Sequence, residues 1–179
     1  PAVGAPMAVL CLEKLIALGA RRLILVGWCG ALQDTLRVGN VLLPAQALCG
    51  EGTSHYYSSE LGPKPSTSLI VWLRELLSRS GIPWQEGRVW STDAPYRESR
   101  NLLASLRREQ DIVAVDMEYS ALCTVATFRG IEFAACMLVS DELWQKEWKP
   151  GFSTPAFRQR SQDLSGLLIG AMQSMPPFA

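Results

Sequence analysis

The chain has 179 residues, 17 Lys plus Arg against 17 Asp plus Glu, and a formal net charge of zero. That length allows one domain with a real core, and the charge balance removes the electrostatic case for nucleic acid or an anionic membrane surface as a partner. No apolar run reaches bilayer-spanning length, no secretory signal pattern is present, and the lone His55 cannot build a metal site, so no metal is expected.

In chain order, Pro6 suits a first helical turn, and residues 7–18 carry apolar side chains at helical spacing before Gly19. Arg21-Arg22 precede a short buried strand over 23–26, after which Gly27-Trp28-Cys29-Gly30 reads as a tight turn. Glycine there would let the backbone approach a ligand closely, since no Cβ intervenes. Residues 39–48 read as a strand broken at Pro44, and 50–65 as a loop rich in Gly, Ser and Tyr, long enough to be functional. A helix over 66–80 starts at a Ser/Thr cap and closes at Gly81. A strand over 87–91 leads into Thr92-Asp93-Ala94-Pro95-Tyr96, and residues 97–109 form a charged outer helix.

The most organised stretch follows. An apolar run over 112–115 ends on Asp116-Met117-Glu118, a helix over 119–128 stops at Arg129-Gly130, and a buried strand over 133–139 is bounded by Ser140-Asp141. Ligands in α/β proteins bind beyond the carboxyl ends of parallel strands. Glu118 and Asp141 both fall at such ends, so the two carboxylates are expected to face one crevice. An aromatic loop with Trp144, Trp148 and Phe152 and a last helix over 154–175 complete the chain. The five cysteines, Cys11, Cys29, Cys49, Cys123 and Cys136, are irregularly spaced and mostly inside apolar segments. They read as reduced thiols of a cytoplasmic protein, with neither a disulfide framework nor a zinc cluster. Alternating strands and helices argue an α/β fold with a parallel or mixed sheet between helical layers.

Asp116-Met117-Glu118-Tyr119-Ser120-Ala121 resembles the Glu-Met-Glu-x-x-Ala motif of the nucleoside phosphorylase family, which includes purine nucleoside phosphorylase, uridine phosphorylase and methylthioadenosine nucleosidase. Val139-Ser140-Asp141 resembles the Ser-Asp of its purine-specific members. Gly4-Ala5-Pro6, Val26-Gly27-Trp28-Cys29-Gly30-Ala31, Val38-Gly39-Asn40-Val41 and Ser91-Thr92-Asp93-Ala94-Pro95-Tyr96 match family motifs in the family's order. The resemblance implies a three-layer α/β/α sandwich with a mixed, partly closed central sheet. It also implies that residues 1–179 are a single phosphorylase-like domain lacking the strands, phosphate loop and arginine that family members carry upstream.

The activity implied is cleavage of the N-glycosidic bond of a purine nucleoside, without a cofactor and with phosphate as the usual co-substrate. By resemblance, Asp141 is the catalytic acid that protonates the departing base, where general acid catalysis is needed. Without the resemblance, Asp141 caps the following loop. Glu118 would accept hydrogen bonds from the ribose hydroxyls, or as a first-turn carboxylate complement its helix dipole. Met117 would pack on the sugar, with Trp28, Cys29, Gly30, Thr92, Ser140 and Tyr96 completing the substrate-binding set. Trp28 is read equally as a stacking residue and as a core aromatic, and Tyr96 stands beside Pro95, where the family has its base-stacking aromatic. Asp116 stands where the family usually has Glu, and two departures matter more: Leu25 stands for its phosphate arginine and Trp28 for its Ser or Thr. That opens two alternatives, a nucleosidase using water and a catalytically silent nucleoside-binding homologue. A homo-oligomer is expected by resemblance.

Overall fold

The structure is a computed structural model that describes residues 2–57, 62–173 and 175. Its centre is one mixed sheet of β1 (Arg22–Ala31), β2 (Val41–Gly50), β3 (Trp84–Thr92), β4 (Ile112–Asp116), β5 (Glu132–Glu142) and the short β6 (Lys149–Pro150), in the order β1-β4-β3-β2-β5-β6. β1 also pairs with β5 in parallel, from Arg22↔Glu132 to Ala31↔Glu142. The first five strands therefore close on themselves. β3 runs parallel to both β2 and β4, whereas β4 meets β1, and β2 meets β5, antiparallel.

Helices cover this sheet on both faces. β5 shows why both are needed, since its alternate residues serve different layers. Phe133, Ala135, Met137 and Val139 pack with α1 (Ala5–Ala17) and α4 (Tyr119–Arg129). Ala134, Cys136 and Leu138 pack with α2 (Thr67–Ser80) and α5 (Pro155–Met172). A strand buried on both faces must be apolar at every position, which explains the unbroken run in the sequence. α3 (Arg100–Gln110) sets Leu103 and Leu106 against Ile112 and Val115 of β4 in a third cluster. α4 buries every residue from Tyr119 to Ala126, as a helix enclosed by α1, the sheet and the 3₁₀ turn Thr53–Tyr57 does.

Several expected boundaries move. The predicted turn at Gly27–Gly30 is strand: β1 continues through it because β5 offers a partner along its whole length, and the bend is absorbed as a bulge between Cys29 and Gly30. Ser140 and Asp141 likewise lie inside β5, not beyond it. β2 runs through Pro44, where a register shift against β3 accommodates the residue that cannot donate to the ladder. The buried Tyr119 hydroxyl donates to the Pro44 carbonyl at 2.7 Å. α3 begins at Arg100 with Ser99 as its cap, and Pro95–Arg97 is a separate 3₁₀ turn. Ser66 is the N-cap residue of α2, as expected, but its side chain makes no cap bond; its Oγ accepts from the Phe133 N–H at 2.8 Å, tying the helix entry to β5. Gly81 and Gly130 end α2 and α4 in the left-handed conformation, as read. Residues 58–61 of the predicted loop and residue 174 of the predicted last helix lie outside the described residues. Cys29, Cys123 and Cys136 are buried thiols, but Cys11 is exposed on α1.

Candidate active site

Closure of the sheet brings the end of β5 against the bulge of β1 and the end of β4. Gly30 pairs with both Asp141 and Val115. A Cβ on Gly30 would lie 3.2 Å from Asp141 Oδ2, 3.3 Å from Val115 and 2.7 Å from the tip of Leu143, so a side chain there would have to displace all three. Asp141 Oδ1 is 2.6 Å from the Ser140 hydroxyl, which also lies 3.2 Å from the Cys29 carbonyl. Its Oδ2 accepts from the indole N–H of Trp148 at 2.8 Å. The Cys29 thiol is pushed well up, first by burial and then by the charges of Asp116 and Asp141 on either side. It is a wall of the site, not a nucleophile.

Asp116 builds the adjoining turn. Its Oδ1 accepts from the Ser91 hydroxyl, and its Oδ2 accepts from the N–H groups of Glu118 at 3.0 Å and Tyr119 at 2.7 Å. These bonds cap α4 and hold Met117-Glu118 at its entrance. Burial nevertheless dominates and raises the Asp116 carboxyl to about 6. Ser91 Oγ also accepts from the Ser120 N–H at 2.9 Å, and Ser120 donates to buried Glu51 at 2.8 Å. Glu51, 2 % exposed, further accepts from the Ser54 N–H at 3.0 Å and from its hydroxyl. One polar chain thus runs from the 3₁₀ turn after β2 to the turn that carries Glu118.

Glu118 is half-buried, and its Oε1 accepts from the Gly4 N–H at 2.6 Å. Gly4 caps α1 with φ of +86°, a conformation glycine supplies without strain. Burial raises the Glu118 carboxyl, and the Gly4 bond opposes that shift. Its side chain makes no cap bond to its own helix. The dipole it meets is that of α1.

Other expected residues are placed differently. Met117 is half-buried in the turn. Thr92 is buried, its Oγ1 accepting from the Ala94 N–H at 3.2 Å within its own turn. Tyr96 is fully exposed and makes no hydrogen bond or ring contact to a described residue. Trp28 is 53 % exposed, edge-on to Phe157 at 5.1 Å and stacked with Phe152 at 6.4 Å, so it belongs to an aromatic surface with Trp148 and Phe152. Neither of two cavities, of about 170 and 260 Å³, is lined by Asp141 or Glu118.

Sequence reasoning missed Glu98. This half-buried carboxyl follows the Pro95–Arg97 turn and is raised to about 7, first by burial and then by the charge of Asp141. In the sequence it looks like one more charge before an outer helix, and nothing local marks it. Trp148 was visible as part of an aromatic loop, but its bond to Asp141 needs the β5–β6 pairing of Asp141 with Pro150. Among the described residues, no group of three or more His, Cys, Asp or Glu could hold a metal.

The family model described as "Phosphorylase superfamily" matches residues 1–171. The purine nucleoside phosphorylase DeoD-type of Bacillus cereus is 28% identical over 149 residues, covering 81% of this chain and 63% of that protein. The chain thus spans less than two thirds of that relative. Among solved structures, AMP nucleosidase from Bacteroides thetaiotaomicron superposes with a TM-score of 0.75 at 26% identity, covering 97% of this chain and 72% of that one. Uridine phosphorylase from Vibrio fischeri gives 0.75 at 28%, covering 94% and 66%. Purine nucleoside phosphorylase from Toxoplasma gondii gives 0.82 at 21%, covering 94% and 69%, a likeness of fold alone.

Proposed function

Because this chain belongs to the phosphorylase superfamily, we propose that it works as a single phosphorylase-like domain that cleaves the N-glycosidic bond of a purine nucleoside. The observation that carries this reading is Asp141, whose carboxylate stands against the Cβ-less Gly30 with Ser140 and Trp148 on its two oxygens. In the proposed step Asp141 delivers a proton to a ring nitrogen of the base as the glycosidic bond breaks. The Ser140 and Trp148 donors then stabilise the carboxylate left behind. Glu98 nearby is raised to about 7, first by burial and then by the charge of Asp141. Glu118, on the turn fixed by Asp116, accepts the ribose hydroxyls, with Met117 on the sugar face. No cofactor enters this scheme. Irregular, unpaired cysteines favour a reducing, cytoplasmic setting, and the exposed apolar face of α1 favours a homo-oligomer.

Water as acceptor has a specific observation in its favour. Leu25 is half-buried against the core, and Trp28 is held by Phe157 and Phe152, so neither position offers the charge-assisted donors a phosphate dianion needs. Cleavage is therefore expected to be insensitive to phosphate. The test incubates the protein with inosine or adenosine, with and without phosphate, and separates the products. Free base with free ribose is the expected result. Ribose 1-phosphate formed only with phosphate restores phosphorolysis, and no product from either nucleoside rejects the enzymatic reading in favour of a silent binding homologue.

A further inference from the structure

Leu143, whose side chain also approaches Gly30, lines a cavity of about 260 Å³ that the proposed reaction does not use. Arg100, Arg107 and Arg108 of α3 and Lys146 of the loop after β5 line it, and no Asp or Glu does. Positions 100, 104, 107 and 108 share one helical face, so the cations converge instead of fanning out. Arg108 has a loose ion pair with Glu109, 4.0 Å apart and both exposed. Arg100, Arg107 and Lys146 have no hydrogen bond or ion pair with a described residue. In a chain of zero net charge, such a cluster concentrates positive charge on one stretch of surface.

The floor of the cavity adds a second, independent observation. Leu32, Leu103, Ala104, Leu143 and Trp144 make it apolar. The Trp144 indole N–H is buried without a partner, one of two such side-chain atoms among the described residues. Its ring is held from outside the cavity's lining by Arg37, 4.4 Å from the ring centre, and Arg37 in turn lies 3.6 Å from Glu142. Arg37 thus fixes the ring of a floor residue beside the cationic rim.

We propose that this cavity binds a small organic phosphate, its oxyanion held by Arg100, Arg107, Arg108 and Lys146 and its flat apolar part lying on Leu103, Ala104 and Trp144. Guanidinium forks suit phosphate oxygens, and the volume suits a single ring bearing one phosphate. The site is independent of the glycosidic reading, because it contains neither Asp141 nor Glu118.

Calorimetric titration at low salt with phenyl phosphate and with inorganic phosphate tests this. Phenyl phosphate is expected to bind more tightly than inorganic phosphate, and more weakly as salt is raised. The double variant R100Q/R107Q alters only exposed side chains, and it should weaken binding by about tenfold or more through lost charge-assisted bonds. In wild-type protein, the indole N–H resonance that Trp144→Phe removes should shift on titration. No saturable binding at millimolar phenyl phosphate, equal affinity for the two probes, unchanged affinity in the double variant, or an unmoved indole resonance overturns the proposal. Asp141→Asn is expected to lose cleavage yet keep this binding, which separates a failure here from a failure of the proposed reaction.

Discussion

At the residue scale, the site is a set of carboxyls whose environments differ. Asp116 accepts three hydrogen bonds yet is raised to about 6 from an ordinary 3.8, because burial outweighs its donors. The folded state therefore holds this proton more tightly than the unfolded chain does. As pH rises from about 4 through about 6, ionising Asp116 withdraws stability, on the order of 3 kcal/mol when complete. Denaturant titrations across that range should show this slope, and Asp116→Asn should flatten it; an unchanged slope would refute the assignment. Glu98 offers a second check. Asp141→Asn removes the negative charge it faces, so its titration midpoint should move down from about 7 toward the ordinary range. Carboxyl-carbon NMR reads this directly, and an unmoved midpoint would mean that burial alone sets it. For Glu118→Gln we expect nucleoside affinity to fall by roughly 1.5–3 kcal/mol, the range for hydrogen bonds to a charged group. A Gln oxygen still accepts from Gly4, so the melting temperature should change little. Lost stability with unchanged affinity would make Glu118 a cap of α1 and nothing more.

At the element scale, strand pairing overrides local propensity. Gly27 and Gly30 both look like turn residues, yet β1 crosses them because β5 satisfies its backbone groups on one side throughout and β4 near its end. The bulge at Cys29/Gly30 is the residue of that conflict, and it is where Asp141 is seated. Gly87 plays a different part. It pairs with Pro44, and a Cβ there would meet Val113 Cγ2 at 2.3 Å, so β3 and β4 approach because glycine leaves room. Gly87→Ala should destabilise the fold by about 1–3 kcal/mol, the usual range for overpacking a core. A melting temperature equal to wild type would show that Val113 simply turns aside.

At the scale of the whole molecule, the helical layers are unequal. α1 buries Ala5, Ala8, Val9 and Leu12 and presents Met7 and Leu10 outward, with its C-cap Leu18 beside them, at 52%, 67% and 74% of their surface exposed. Exposed apolar side chains grouped on one helix, here flanking Lys14, mark an interaction face, and a second copy of the chain is the occupant expected from the resemblance. Sedimentation at tens of micromolar should show a dimer or larger species, with Leu10→Lys shifting it toward monomer. A wild-type monomer at that concentration would remove α1 as a self-association surface.

What the sequence determined by itself is whatever depends on neighbours along the chain. The two-faced apolar run of β5, the glycine stops of α2 and α4, the acidic turn before α4 and the alternation of strand with helix are all local patterns, and all are found in place. The family could be read for the same reason, since its motifs are short segments in a set order. Tertiary structure alone decided the rest. Whether Gly27–Gly30 turned or ran on depended on β5, more than one hundred residues away. Glu98 came within the field of Asp141 through packing that no spacing encodes. The bond from the Gly4 N–H to Glu118, and the cations of α3 that share a cavity with Trp144, likewise join segments that have no period in common. Periodicity reports which face of an element is buried; pairing and packing decide what that face meets.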